Sequence, residues 1–292
     1  MDLQKLKQIK KLAIISMFSD DTLMDTLVLK GGNALDIVYE ISQRASIDLD
    51  FSIEGELKPI DKFAIKMKEA LKKTFEENGY IVFDINVMEK PEAPNPSMPE
   101  FWGGYQIDFK LIEKKTFPKF ENDIENLRRN AAIVGPNQKR KFSIDISKYE
   151  YCDNKLAIDL DGYTIYAYSP EMIVFEKLRA ICQQMPEYTK TIGKSYQTAR
   201  ARDFFDIYVV LTHFNIDLTS TKNITLLKDI FGKKQVPLRS IMQIKDNREY
   251  HRKDFSAVQD TVKPGVQLKD FDFYFDFVLE KCDQLCKALG IV

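Results

Sequence analysis

The sequence predicts an α+β protein: a mixed sheet with helices in the first half, then a mostly α-helical second half. Three observations lead there. From Leu27 to Ile53 the pattern runs from a short apolar stretch through a glycine turn and helical spacing into strict alternation. Further strand-like stretches follow up to Ala167, separated by polar or proline-rich segments. After Ser169 apolar residues recur at helical spacing. The expected division is an α/β domain over residues 1–168 and a helical domain over 169–292 that contributes to the same site.

Taken in order, the N-terminal MDLQKLKQIKKLAIISMF has lysines and a short apolar run but no small-residue cleavage site, so it reads as a helix and not a signal peptide. Val28 and Leu29 lead as a strand into Lys30-Gly31-Gly32-Asn33, and Ala34, Leu35, Ile37 and Val38 then take helical spacing. Ile47, Leu49, Phe51 and Ile53 alternate with Asp48, Asp50 and Ser52, the mark of a half-buried strand. Ile60 to Phe75 forms an amphipathic helix closed near Gly79. Strands are expected over Tyr80–Met88 and over Phe101–Ile112, the latter broken at Gly103-Gly104, with a loop of four prolines between them. Phe120–Arg129 reads as a helix. After the basic run Gln138–Lys141 comes a strand in which Phe142, Ile144 and Ile146 face one way and Ser143, Asp145 and Ser147 the other.

Two short strands over Leu156–Leu160 and Tyr163–Ala167 complete this half. Ser169-Pro170-Glu171 is a strong helix start, with a capping hydroxyl, proline at the first position and an acid in the first turn. Val174, Leu178, Ile181 and Met185 form the buried stripe of that helix, and Lys177 sits among apolar neighbours, either snorkelling or reaching a buried anion. Met185–Ala199 reads as a polar loop. In the helix that follows, Arg200 and Arg202 occupy the first turn, where the dipole disfavours cations by ~0.3–1 kcal/mol each. That cost points to a bound anion or to pairing with Asp203 or Asp206. Residues 223–292 are helical and carry no readable motif, and Cys282 and Cys286 at i and i+4 read as buried core.

The chemistry centres on Asp48 and Asp50. Two residues apart on a strand they share a face, and like charges side by side repel and raise each other's pKa. A cation between them relieves this, and oxygen ligands suit a hard divalent ion, Mg²⁺ above all, with Mn²⁺ as its substitute. Asp145 is the third carboxylate expected beside them, with Asp108 as its rival. A formal net charge of −1 argues against a generally basic nucleic-acid binder but leaves room for a local basic groove. No run approaches eighteen apolar residues, so no membrane span is expected. Four cysteines without a CxxC pair suit a reducing, cytoplasmic setting.

Gly-Gly, a short helix and then Asp-x-Asp on a strand resemble the first motif of the DNA polymerase β-like nucleotidyltransferases. More narrowly, KGGNAL followed by R-x-S-x-D-L-D-F resembles the AbiEii/MenT nucleotidyltransferase toxins of type IV toxin–antitoxin and phage abortive-infection systems. Glu176-Lys177-Leu178-Arg179-Ala180 and R-x-R-D-x-x-D from Arg200 to Asp206 match later motifs of that group, with Arg202 where the group has lysine.

The resemblance implies a nucleotidyltransferase fold and transfer of NMP from an NTP to an acceptor, most naturally an RNA such as tRNA, by a growth-arresting toxin with a cognate antitoxin. It implies metal ligation by Asp48, Asp50 and Asp145, a catalytic role for Asp203, and nucleotide contacts from Lys30, Gly31, Gly32, Asn33, Lys177, Arg200 and Arg202. Asn33 stands where the superfamily often has serine, so it would have to grip phosphate. Lys190, Lys194, Tyr188 and Tyr196 are either acceptor contacts or a solvated loop. Two other readings remain: transfer to a small-molecule or protein hydroxyl, and a non-catalytic NTP-binding module of the same fold.

Overall fold

The computed structural model describes residues 3–46, 48–92, 98–135, 137–193 and 198–291. In chain order the first part comprises α1 (Leu3–Phe18), α2 (Asp21–Thr26), β1 (Val28–Lys30) and α3 (Gly31–Asn33), which runs on as a π-helical turn over Ala34–Val38. Then come β2 (Leu49–Ser52), α4 (Ile60–Glu77), β3 (Tyr80–Lys90), β4 (Gly104–Glu113), α5 (Ile124–Arg129), β5 (Phe142–Ser147), β6 (Leu156–Leu160) and β7 (Tyr163–Ala167). Helices follow: α6 (Pro170–Cys182), α7 (Pro186–Ile192), α8 (Ala201–His213), α9 (Thr221–Lys233), a 3-10 stretch (Leu238–Asn247), α10 (Arg248–Arg252), α11 (Phe255–Gln259) and α12 (Phe271–Leu289).

The strands form one sheet in the order β3-β4-β5-β2-β1-β7-β6. β2 pairs antiparallel with β1 and parallel with β5, and β1 pairs parallel with β7. This register sets Asp50 opposite Lys30 on one side and Asp145 on the other. Because side chains alternate along a strand, the same pairing sends Phe51 to the opposite face. There Phe51 meets Phe18 of α1, ring centroids 6.0 Å apart, and α1, α2 and α4 pack together over that side. The polar face is left for the helical half.

In that half α6 packs on α8 and α9, and α8 packs on α11 and α12. Phe204 of α8 stacks on Phe275 of α12 with centroids 5.0 Å apart and an interplanar angle of 24°. Polar ties join the halves: Lys234 Nζ donates to the Phe101 and Lys148 carbonyls, each at 2.7 Å. Within the first half the Tyr168 hydroxyl donates to Ser52 Oγ at 2.8 Å. Cys182, Cys282 and Cys286 are buried free thiols. Among the described residues no helix is long and apolar enough to cross a membrane.

Several boundaries differ from the sequence expectation. The strand expected from Ile47 begins at Leu49, which leaves Asp48 in a bend before it; Ile47 itself lies outside the described residues. Gly103 stays outside β4, which starts at Gly104. The helix expected from Phe120 begins at Ile124, where Asp123 accepts the Asn126 N–H. The expected polar loop after Met185 contains α7, because Pro186 starts a turn and Tyr188 finds a buried site.

Ser169 Oγ accepts the Met172 N–H at 3.3 Å at the start of α6. Ser169→Ala is expected to cost about 1 kcal/mol of stability. Urea unfolding will show this as a lower midpoint with an unchanged m-value.

Candidate active site

The site is built around a backbone turn. Gly31 has φ +71°, and a Cβ there would lie 2.8 Å from Asp50 Oδ2. The left-handed conformation and the pressed carboxylate both require glycine. At Gly32 a Cβ would lie 2.9 Å from Ser46 Oγ, so the loop before β2 also packs tightly on the turn. Asn33 is fully buried and donates through Nδ2 to the Asp48 carbonyl at 2.5 Å and to Ser46 Oγ at 3.3 Å. The Asn33 side chain thus braces the chain that carries Asp48.

A cavity of about 740 Å³ opens over this turn, lined by the polar face of the sheet, by α6 and by the start of α8. Asp50 and Asp145 face it side by side from β2 and β5. Burial pushes Asp50 up to about 7; Lys30 opposes the shift, while Asp145, Glu176 and Asp48 add to it. Asp145 is raised by burial and by Asp48 and Asp108. Among the described residues neither carboxylate takes part in a hydrogen bond or an ion pair within 4.0 Å. Two under-compensated carboxylates in adjacent register fit a hard cation with oxygen ligands. Asp48 stands apart at the rim, its side chain about half exposed and 3.3 Å from Lys139 Nζ. Among the described residues no three acidic, histidine or cysteine side chains form a closed metal cage. The rival Asp108 is occupied: Ser143 Oγ and Lys141 Nζ each donate to it at 2.8 Å.

The helical wall is a buried ionic network. Lys177 Nζ lies 3.0 Å from Asp203 Oδ1 and 2.7 Å from Asp206 Oδ2. Arg44 grips Asp206 with two bonds, Nε to Oδ1 at 2.8 Å and Nη2 to Oδ2 at 2.6 Å. Burial works against the Lys177 ammonium, but Asp203 and Asp206 more than offset it and its pKa is raised. Burial would raise Asp206; Arg44 and Lys177 hold it at about 2. Asp203 pairs most closely with Lys177 and more distantly with Arg200. Arg200 Nη1 is 3.8 Å from Asp203, and Arg202 is exposed at the cavity mouth.

A second buried network lies beside Lys30. Lys30 Nζ donates to Ser147 Oγ at 3.0 Å and lies 3.5 Å from Glu150 and 3.6 Å from Glu176. Arg179 pairs with Glu150 at 2.7 Å, and Lys234 lies 3.6 Å from the same carboxylate. Burial alone would raise Glu150, yet Arg179, Lys30 and Lys234 hold it well below the usual carboxylate range. Burial lowers Lys234 to about 8 despite Glu150.

The structure thus gathers Lys30, Gly31, Gly32, Asp48, Asp50, Asp145, Lys177, Arg200, Arg202 and Asp203 around one cavity and leaves Asn33 behind it. Arg44, Glu150, Arg179, Lys234 and Asp254 also line it, without being singled out for the site from sequence. Arg44 and Arg179 left a signal, as members of the R-x-S-x-D-L-D-F and Glu176–Ala180 stretches. Tyr188 is buried core and Lys190 is exposed on α7, while Lys194 and Tyr196 lie outside the described residues.

A model of the family described as "Nucleotidyl transferase AbiEii toxin, Type IV TA system" matches residues 13–277. No curated protein matches the chain. Among solved structures, a candidate nucleotidyltransferase from H. pylori is 17% identical over 98% of this chain and 96% of its own, with a TM-score of 0.52; that likeness is one of fold. JHP933 from Helicobacter pylori is 18% identical over 98% of this chain and 97% of its own, with a TM-score of 0.46.

Two outcomes are expected from this geometry. Gly31→Ala will destabilise by at least about 1–2 kcal/mol from the left-handed backbone alone, measured by urea unfolding. Asp50 carries a raised folded pKa, so the wild type loses stability relative to Asp50→Asn as pH climbs from the unfolded carboxylate pKa, near 4, to about 7. In metal-free buffer the melting-temperature gap will open over that range, with the variant higher, and level off above it. A constant gap from pH 4 to 8 would show that Asp50 ionises normally.

Proposed function

The chain belongs to the AbiEii nucleotidyltransferase toxin family, and on that premise we propose that it transfers NMP from an NTP to an RNA acceptor, with tRNA the expected class, and thereby arrests growth. The observation that carries this reading is the pairing of Asp50 and Asp145 across adjacent strands, with Gly31 pressed against Asp50.

Charge supports a cation requirement. Among the described residues seven cationic side chains and seven carboxylates line the cavity. An NTP brings several negative charges to a balanced site, so it gains little unless cations accompany it. Mg²⁺, or Mn²⁺ in its place, would be held by Asp50 and Asp145, with Asp48 joining from the rim. When bound it supplies charge neutralisation at the phosphates and a more acidic acceptor hydroxyl.

The remaining roles belong to the chain itself. Gly31 and Gly32 offer main-chain N–H groups at a turn where no side chain blocks approach. Lys177, held by Asp203 and Asp206, presents a fixed positive charge to the nucleotide phosphates. Arg200 and Arg202 add cations at the start of α8, where the helix N-terminus also favours anions. Asp203 orients Lys177. The acceptor hydroxyl oxygen bonds to the α-phosphorus, the bond to the bridging oxygen breaks, pyrophosphate leaves and the hydroxyl proton passes to water. The protein works in the cytoplasm, and its family supports an antitoxin as its regulatory partner.

Labelled NTPs incubated with total RNA, protein and small-molecule fractions test the reading. Label is expected in RNA, only with a divalent cation present, and lost by at least a hundredfold in Asp50→Asn and Asp145→Asn. Label confined to protein or small molecules would exclude the RNA acceptor. Asp203→Asn will lose most transfer activity and toxicity, and urea unfolding will show a loss of ~3–5 kcal/mol from the under-paired Lys177. Mg²⁺ will raise the melting temperature of the wild type but not of Asp50→Asn; equal shifts in both would place the cation elsewhere.

A further inference from the structure

Trp102 is the sole tryptophan of the chain and, among the described residues, the one aromatic side chain lining the cavity. Its position is specified closely. Gly103 has φ +95°, and a Cβ there would collide with the Lys90 carbonyl; a Cβ at Gly104 would collide with that of Ile146. These contacts draw the start of β4 tightly against β5, where Gly104 lies opposite Ser147. Ser147 in turn accepts from Lys30, the neighbour of Asp50.

Main-chain bonds fix the segment on both sides of the indole. The Trp102 N–H donates to the Pro99 carbonyl at 2.9 Å, Lys234 Nζ donates to that of Phe101 at 2.7 Å, and the Lys148 N–H donates to that of Gly103 at 3.3 Å. The indole leans on Tyr188, centroids 6.4 Å apart at 47°. Tyr188 is itself locked, donating to the Lys234 carbonyl at 2.7 Å and accepting from Gln183 Nε2 at 3.1 Å. A rigid aromatic surface therefore stands, half-buried, in a cavity otherwise dominated by charged and polar groups.

We propose that Trp102 is the stacking platform for the base of the incoming NTP. The inference rests on the transferase reading. The base is tethered through ribose to the α-phosphate, which must meet the Asp50–Asp145 floor, and among the described residues Trp102 is the aromatic surface that shares that cavity. Stacking accepts any base, because every base has a π-face. Trp102 then supplies affinity, and the choice among NTPs falls to polar neighbours such as Gln183.

Intrinsic fluorescence reports this one residue. The full chain with Mg²⁺ and no acceptor is titrated with each NTP, with inorganic tripolyphosphate, and separately with a single-stranded oligoribonucleotide. NTPs are expected to quench the emission saturably; tripolyphosphate leaves it unchanged yet competes with NTP. By calorimetry Trp102→Ala weakens NTP binding roughly tenfold or more and Trp102→Phe much less. Tripolyphosphate binding in both variants stays as in wild type, which shows that the phosphate half and the fold are intact. Undiminished NTP affinity in Trp102→Ala, or NTP binding without change in emission, overturns the proposal and leaves the transferase reading standing. Quenching by the oligoribonucleotide but not by NTPs overturns it in favour of an acceptor base. Wild type that binds neither NTP nor tripolyphosphate overturns both.

Discussion

Four buried charges hold the site in shape: Arg44, Lys177, Asp203 and Asp206. Arg44 comes from the loop before β2, Lys177 from α6, and the two acids from α8. Taking each from water costs several kcal/mol, which only close, well-directed pairing offsets. The two-pronged contact of Arg44 with Asp206 provides such pairing. Removing any one member would strand a buried charge, at a cost of ~3–5 kcal/mol. The loop, α6 and α8 are therefore bound into one unit, and the glycine turn packed on that loop inherits its rigidity.

The floor carboxylates are treated in the opposite way. Glu150 and Asp206 are surrounded by cations and held well below their ordinary range, whereas Asp50 and Asp145 are left raised. The fold thus stabilises the acids that build the walls and leaves destabilised the two that face the substrate. Local strain of this kind is what a site gives up in stability for function.

How much of this was legible in the sequence depended on distance along the chain. The Asp50 and Asp145 strands announced themselves through alternation, a local signal, and their common face followed from it. The Ser169 cap and the first turn of α8 were equally local. Arg44 and Asp206 are 162 residues apart, and nothing in either stretch states that one will hold the other. Glu150 reads as an ordinary acid after a strand until Arg179, Lys30 and Lys234 converge on it. The Asn33 side-chain bond to the Asp48 carbonyl is likewise a contact that neither stretch states by itself. Tyr188 misled through its polar neighbours, since burial was decided by α9 and the segment before β4.

One pairing carries a temporal meaning. The Ala45 N–H donates to the Thr261 carbonyl at 2.7 Å, the Lys263 N–H donates to that of Gln43 at 2.8 Å, and Lys263 Nζ reaches Asp36 at 2.7 Å. The loop that presents Arg44 is thus clamped by residues more than two hundred positions later. On the ribosome every acid of the floor emerges long before the segment that braces the loop above it. The brace on the Arg44 loop therefore joins the site only after the strands that carry Asp50 and Asp145 have left the ribosome.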